Sequence, residues 1–299
     1  MVLITGKGGV GRSSVTAALA ELAHRAGKRV LVTELGEDDE SYSHLAHLLG
    51  RTYLPEKAEE LQPGIFGARL ISRVGQEQFL TSVLRVGALA RAALGSDALR
   101  RLLSAAPSFR EMGIFYHLLT YLRARRHDDT PLYELILIDM PATGHALALT
   151  GLPQVLLRLV SRGPIPEAIK EGQAYLNNPA TGAAYVVTLP ETLPVSESLE
   201  LIEGLEKSEM TCGGVIVNRM PEEVFTPEER AALAPIFEAN DVFGEEGFRR
   251  LGEAERAIGR LRAAVSVPIY TVPELPEHGA PLVKHITDSL EGATGEVPR

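Results

Sequence analysis

Short, uniformly apolar runs alternate along this chain with longer stretches of helical periodicity. Residues 2–5, 30–33, 135–139, 185–188, 215–218 and 268–272 are the short runs, and a turn at Pro63-Gly64 introduces another at 65–72. Such runs fit strands covered on both faces, as in a parallel sheet, better than the strict alternation of a half-exposed strand. Between the first two, residues 15–26 place apolar side chains at helical spacing, and Gly27 stands where a helix ends on glycine. From 73 to 126 the pattern is helical. Phe79, Leu80, Val83, Leu84, Leu89 and Leu94 form one broad apolar surface and Met112, Phe115, Leu118, Leu119 and Leu122 another, with Pro107 dividing them. Burial between neighbouring elements is the simpler explanation of that breadth; a groove for an apolar partner is the alternative. Thr226-Pro227-Glu228-Glu229 has the order of a helix cap, with proline at the first helical position and a capping-box glutamate. Residues 281–290 predict a final helix. The alternation predicts an α/β fold: a doubly wound, mostly parallel sheet with right-handed crossovers, formed as a single domain over 1–299 with a helical insertion at about 73–126.

Composition narrows the classes of partner. The formal net charge of −9 opposes general nucleic-acid binding. The 85–126 stretch is locally basic, with Arg85, Arg91, Arg100, Arg101, Arg110, Arg123, Arg125 and Arg126 opposed there by Asp97 and Glu111. Aromatic stacking residues are not interleaved with these arginines, so a solvated face is the expected reading, and no nucleic-acid partner is expected. A single cysteine, Cys212, rules out an internal disulfide or a CxxC zinc site within the chain and is expected to be an inert thiol. No leader-like stretch or membrane-length apolar window is evident, so a cytoplasmic location without stable membrane insertion is expected.

The candidate chemistry lies in the first loop. Gly6-Lys7-Gly8-Gly9-Val10-Gly11-Arg12-Ser13-Ser14 follows the first predicted strand and leads into the first predicted helix. Glycines let successive N–H groups turn toward one anion, and the helix start adds unpaired N–H groups and its positive dipole end. The spacing matches G-x-x-x-x-G-K-[ST], with Arg12 in the lysine position. Gly8, Gly9, Val10, Gly11, Arg12, Ser13 and Ser14 are therefore the candidate cradle for ATP or ADP, with the Ser13 hydroxyl on Mg²⁺. Asp139 ends an apolar strand at the carboxyl edge of the sheet, the place for an acid that holds the metal ion through water. The acidic stretch 34–40 falls at the same edge and reads as a solvated loop.

These motifs together resemble a family. Gly6 to Ser14 is similar to the deviant Walker A loop, KGGVGK[ST], of the ArsA, MinD and ParA group, with Lys7 matching its extra lysine. Asp139-Met140-Pro141-Ala142-Thr143-Gly144-His145, with Leu152-Pro153 beyond, resembles the D-x-x-P-T-G-H stretch of the ArsA-like ATPases, its proline displaced by one residue. Val187-Thr188-Leu189-Pro190-Glu191 and Pro107 with Glu111 also fit bacterial ArsA-like sequences. Asn218 resembles the strand-end asparagine that recognises adenine, and Val272-Pro273-Glu274-Leu275 the loop that closes over the base, so Asn218, Pro273 and Leu275 join the expected nucleotide contacts. The resemblance implies an ATP-binding dimer, with itself or with a related ATPase, in which Lys7 acts on the opposite subunit's phosphates. The expectation built on it is a switch whose nucleotide state controls a protein client on helices 73–126, any hydrolysis being in-line attack of water with Lys7 and Arg12 countering developing charge.

Three departures qualify that expectation. Arg12 replaces the catalytic lysine, and a planar guanidinium positions charge differently from a compact ammonium. Thr33-Glu34-Leu35-Gly36-Glu37 replaces the S-T-D-P-A switch, and Ser43 falls by count where the water-positioning aspartate belongs. The zinc-binding CxxC is missing, and five methionines are too few for an evident methionine-lined client groove. A slow ATPase switch is the leading expectation. A non-hydrolysing regulatory subunit is the alternative, and a MinD- or ParA-type positioning protein ranks below both.

Overall fold

The computed structural model describes residues 1–36, 42–84, 109–141, 164–239, 244–293 and 295. Within them the chain forms β1 (Val2–Gly6), α1 (Arg12–Arg25), β2 (Val30–Gly36), α2 (His44–Leu48), β3 (Glu59–Gln62) and β4 (Ile65–Ile71). There follow α3 (Ser72–Leu84), α4 (Phe109–Arg123), β5 (Leu135–Asp139), α5 (Pro164–Asn177), β6 (Ala183–Thr188) and α6 (Thr192–Lys207). The remainder is β7 (Cys212–Met220), α7 (Pro227–Ala239), α8 (Glu245–Ala264), β8 (Ile269–Pro273) and α9 (Gly279–Glu291).

The strands make one eight-stranded sheet in the order β3-β4-β2-β5-β1-β6-β7-β8. All neighbours are parallel except the edge pair β3 and β4. Successive residues of the central strands point to opposite faces, and both faces are apolar. Leu3, Leu31, Ile136, Ile138 and Val186 face a core completed by α3, α4, α6 and α8. Ile4, Val30, Val32, Leu137 and Val187 face a second core completed by α1, α2 and α9. Two-sided burial is why these strands appear as uninterrupted apolar runs, and it gives the doubly wound architecture that the pattern predicts.

Local chemistry sets the boundaries. Helix α1 ends in the expected glycine turn, with Gly27 at φ 78° and the Gly27 and Lys28 amides bonded back to His24 and Ala23. The capping box forms reciprocally: the Glu229 amide donates to Thr226 Oγ1 at 3.2 Å and the Thr226 amide to Glu229 Oε2 at 2.8 Å. In the 73–126 region, Phe79, Met112, Phe115, Leu118 and Leu119 are buried in the first core, so these side chains serve packing. Helices α3 and α4 approach so closely at Gly75 and Gly113 that a Cβ on Gly75 would lie 1.7 Å from the Gly113 carbonyl oxygen. Residues 85–108, which carry much of the predicted basic face and the proposed dividing proline, lie outside the described residues, as does Thr143-Gly144-His145 with Leu152-Pro153.

Candidate functional site

The first loop sits at the carboxyl edge of β1, between β5 and β6. Its root is tight: a Cβ on Gly6, at φ 151°, would stand 2.2 Å from the Val187 carbonyl oxygen of β6. The exposed segment is Lys7-Gly8-Gly9, after which Val10 plunges into the second core at 1% exposure. Gly11 caps α1 in a left-handed conformation with no side-chain cap, and the first turn of α1 carries no acidic residue. The helix therefore starts at Arg12, earlier than its apolar periodicity indicates, and its N-terminal N–H groups and dipole meet the loop with no acidic residue in the helix's own first turn.

Two further predicted residues meet this helix start. Ser13 Oγ donates to Asp139 Oδ2 at 2.5 Å, joining α1 to the end of β5. Asp139 is only 7% exposed, and its second oxygen, Oδ1, is buried with no hydrogen-bond partner among the described residues. Burial pushes its pKa up to about 6, against the Ser13 hydroxyl and the Arg12 charge, which pull it down. The Arg12 guanidinium lies in the same field: burial lowers its pKa while Asp139 raises it, and its Nη1 is likewise buried with no hydrogen-bond partner among the described residues. A buried donor and a buried acceptor left open are costly unless something completes them.

Lys7, with a side chain 45% exposed, is ion-paired to Glu197 on α6. The other oxygen of Glu197 is buried and unpartnered among the described residues. Ser43, predicted by count to stand in for the switch aspartate, is 3% exposed and caps α2, accepting from the Ala46 amide and donating to Glu34 Oε2, both at 2.9 Å. Glu34 is the last-but-two residue of β2 and pairs in register with Asp139. The expectation that 34–40 forms a solvated loop thus gives way at 34–36 to strand, because β2 continues between β4 and β5. Residues 37–41 lie outside the described set.

The predicted base contacts are placed differently from one another. Asn218 is 5% exposed, and its amide nitrogen donates to the Val10 carbonyl oxygen at 2.9 Å, in contact with the loop. Pro273 ends β8 on the surface and Leu275 packs against the second core. A cavity of about 160 Å³ opens at the carboxyl ends of β6, β7 and β8, lined by Leu189, Pro190, Arg219, Arg250 and Glu274 among others, with Arg250 and Glu274 ion-paired at 3.0 Å. Sequence reasoning missed Glu197, Glu34 and Arg250. Position on the strand could have flagged Glu34, whereas Glu197 meets the loop and Arg250 the cavity from helices whose placement no local pattern encodes.

Cys212 is partly buried, and burial raises its thiol pKa, in keeping with an unreactive side chain. Among the described residues no cluster of His, Cys, Asp and Glu could alone hold a metal ion, and no helix is long and apolar enough to cross a membrane. Ser13 and Asp139 nevertheless fit a Mg²⁺ ion that arrives with phosphates, since a hydroxyl, a carboxylate and phosphate oxygens are the hard donors it takes.

A doubly wound sheet, a glycine loop opening onto a helix start and an acid at the neighbouring strand end define a P-loop nucleotide-binding protein. The chain belongs to the anion-transporting ATPase (ArsA) family, whose model matches residues 1–164. It is 29% identical over 237 residues to the ATPase BagA of Mycobacterium tuberculosis, covering 78% of this chain and 68% of that protein. A putative ATPase of Mycobacterium bovis matches with the same identity and coverage. An uncharacterized Streptomyces coelicolor protein is 32% identical over 167 residues, 56% of this chain and 40% of its own length.

Proposed function

We propose that this chain is a Mg²⁺-dependent ATP switch that acts as a dimer, with itself or with a related ATPase, and hydrolyses ATP slowly to control a partner protein. The observation that carries this reading is the open pair at the loop: the Arg12 Nη1 donor and the Asp139 Oδ1 acceptor, both buried and both without partners among the described residues. Triphosphate oxygens would complete Arg12, and the Mg²⁺ hydration shell would complete Asp139. Membership of the family and the ATPase names of the mycobacterial relatives support the same ligand.

Each residue then has a physical task. The N–H groups of residues 8–14 hold phosphate oxygens, and Ser13 and Asp139 hold the metal ion, which supplies charge neutralisation across the phosphates when bound. Ionised Asp139 accepts hydrogen bonds and keeps Ser13 oriented. Arg12 supplies fixed positive charge beside the transferring group. Lys7 leaves Glu197 to reach the opposite subunit, so nucleotide-bound pairing competes with the ion pair seen within one chain. The base lies toward the cavity bounded by Arg219 and the Arg250–Glu274 pair, near Pro273 and Leu275.

A second reading, a non-hydrolysing subunit that clamps ATP beside a competent partner, is favoured by the use of Ser43 as a helix cap and by Arg12 itself. Phosphate release by the purified chain with Mg·ATP distinguishes the two. The switch predicts turnover that falls at least about tenfold in Asp139→Asn, together with dimers in light scattering when a non-hydrolysable ATP analogue is added. Dimers with no turnover identify the clamp. A folded chain that neither binds ATP nor dimerises contradicts both.

A further inference from the structure

We infer that Asn218 is a positioning residue for the phosphate loop: through Val10 it holds the loop in its binding conformation, and affinity for the phosphates depends on it. The inference rests on the nucleotide reading of the loop given above and assigns the reach of one of its residues.

The geometry begins in β7. The ladder between β7 and β8 is regular to Val217 and resumes only at Met220, with Arg219 forced to φ 56° between them. Such an irregularity re-aims the side chains beside it. Asn218 is the residue so re-aimed. Its amide crosses the end of β6 to the loop and donates to the Val10 carbonyl oxygen at 2.9 Å. At 5% exposure that hydrogen bond is shielded from water, which raises the cost of losing it.

The loop is shaped to receive that amide. A Cβ on Gly11 would fall 2.2 Å from Asn218 Nδ2, so only glycine admits the asparagine at this distance. Gly11 also needs its left-handed φ of 90° to start α1. Fixing the Val10 carbonyl toward Asn218 orients the peptide plane that follows it, and hence the Gly11 N–H on the opposite side, away from β7 and into the cradle. With the Gly6 root pressed against Val187 of β6, the loop is held at both ends by strands that carry none of the phosphate-binding residues. The amide nitrogen of Asn218 is committed to this contact, and the residue is 5% exposed.

The test separates loop support from base reading. Asn218→Ala, and Asn218→Ser in case the alanine variant folds poorly, are compared with wild type at a temperature where all are fully folded. Hydrogen exchange at the loop's junction with α1, where the Val15 amide is the first to be hydrogen-bonded, to the Gly11 carbonyl at 3.0 Å, is followed without ligand, and affinities for Mg·ATP and Mg·tripolyphosphate are measured by calorimetry. Loss of one buried hydrogen bond predicts about tenfold faster exchange at this loop–helix junction and about tenfold weaker binding of both ligands. Gly11→Ala, which displaces the amide, should reproduce the exchange change. Unchanged loop exchange, or ATP weakened while tripolyphosphate binds as to wild type, overturns the inference and makes Asn218 a base contact. Wild type that binds neither ligand while the variants still accelerate loop exchange overturns the nucleotide reading and leaves the loop support standing.

Discussion

The two edges of the central sheet are built from the same kind of strand and finished in opposite ways. At the amino edge, polar groups close on one another: Glu134 takes the Lys28 ammonium at 3.2 Å and the Arg29 amide at 3.1 Å, while Arg29 Nε donates to the Leu132 carbonyl at 3.2 Å. At the carboxyl edge, Arg12 Nη1, Asp139 Oδ1 and Glu197 Oε2 are buried and open among the described residues. Open groups cost stability, so an edge that keeps them does so for a ligand or partner that is bound later. The contrast falls at the edge that carries the first loop.

Glycine substitution breaks the comparison most severely. Gly6→Ala forces a contact with Val187 at the carboxyl edge and should cost at least about 3 kcal/mol in urea unfolding and abolish ATP binding. Gly27→Ala, at a left-handed position toward the amino edge with open space around it, should cost only about 1 kcal/mol and leave ATP binding intact. Equal costs would erase the distinction.

His117 supplies a buried polar group that is satisfied, accepting the Ile71 amide at 3.1 Å through Nδ1. Burial lowers its pKa from 6.5 to about 4. The folded state therefore binds fewer protons than the unfolded one, and stability falls as pH drops from about 6.5 toward 4, by up to roughly 3 kcal/mol. His117→Gln should flatten that acid limb when unfolding free energies at pH 5 and 7 are compared, without changing ATP affinity at neutral pH.

Asp139 gives the opposite sign. Its folded pKa is raised from 3.8 to about 6, so its stabilising contribution is complete below about pH 3.8 and lost as pH rises through 6. Asp139→Asn should stabilise the ligand-free chain at pH 7 by about 1–2 kcal/mol, discounting for the Arg12 charge, and remove the gain in ATP affinity that Mg²⁺ confers. That gain should itself grow with pH between about 5 and 7, as the carboxyl loses its proton. The smallest effect belongs to Glu134→Gln at the exposed amino edge, where neither melting temperature nor ATP binding should change measurably.

Much of the fold was legible because its determinants are local. Two-sided burial writes itself as apolar runs, and the Thr226–Glu229 box and Gly27 end their helices by chemistry contained in a few residues. Strand β3, Glu59–Gln62, escaped because an exposed antiparallel edge strand with polar residues carries no such run. In the candidate site, spacing and strand position sufficed to pick out the loop and Asp139, which meet through Ser13. The rest was illegible where distant segments meet: Lys7 finds Glu197 across 190 residues of chain, and Val10 finds Asn218 across 208. Local periodicity fixes which elements form, and three-dimensional packing decides which side chains face the loop.

The central claim, that the open groups at the carboxyl edge are completed by a nucleotide and its metal ion, is tested most directly by titrating ATP into the purified chain with and without Mg²⁺, alongside Asp139→Asn. The account predicts saturable binding that Mg²⁺ strengthens about tenfold in wild type and leaves unchanged in the variant. A folded wild-type chain that does not bind ATP, or whose binding responds to Mg²⁺ equally with and without the Asp139 carboxylate, would contradict it.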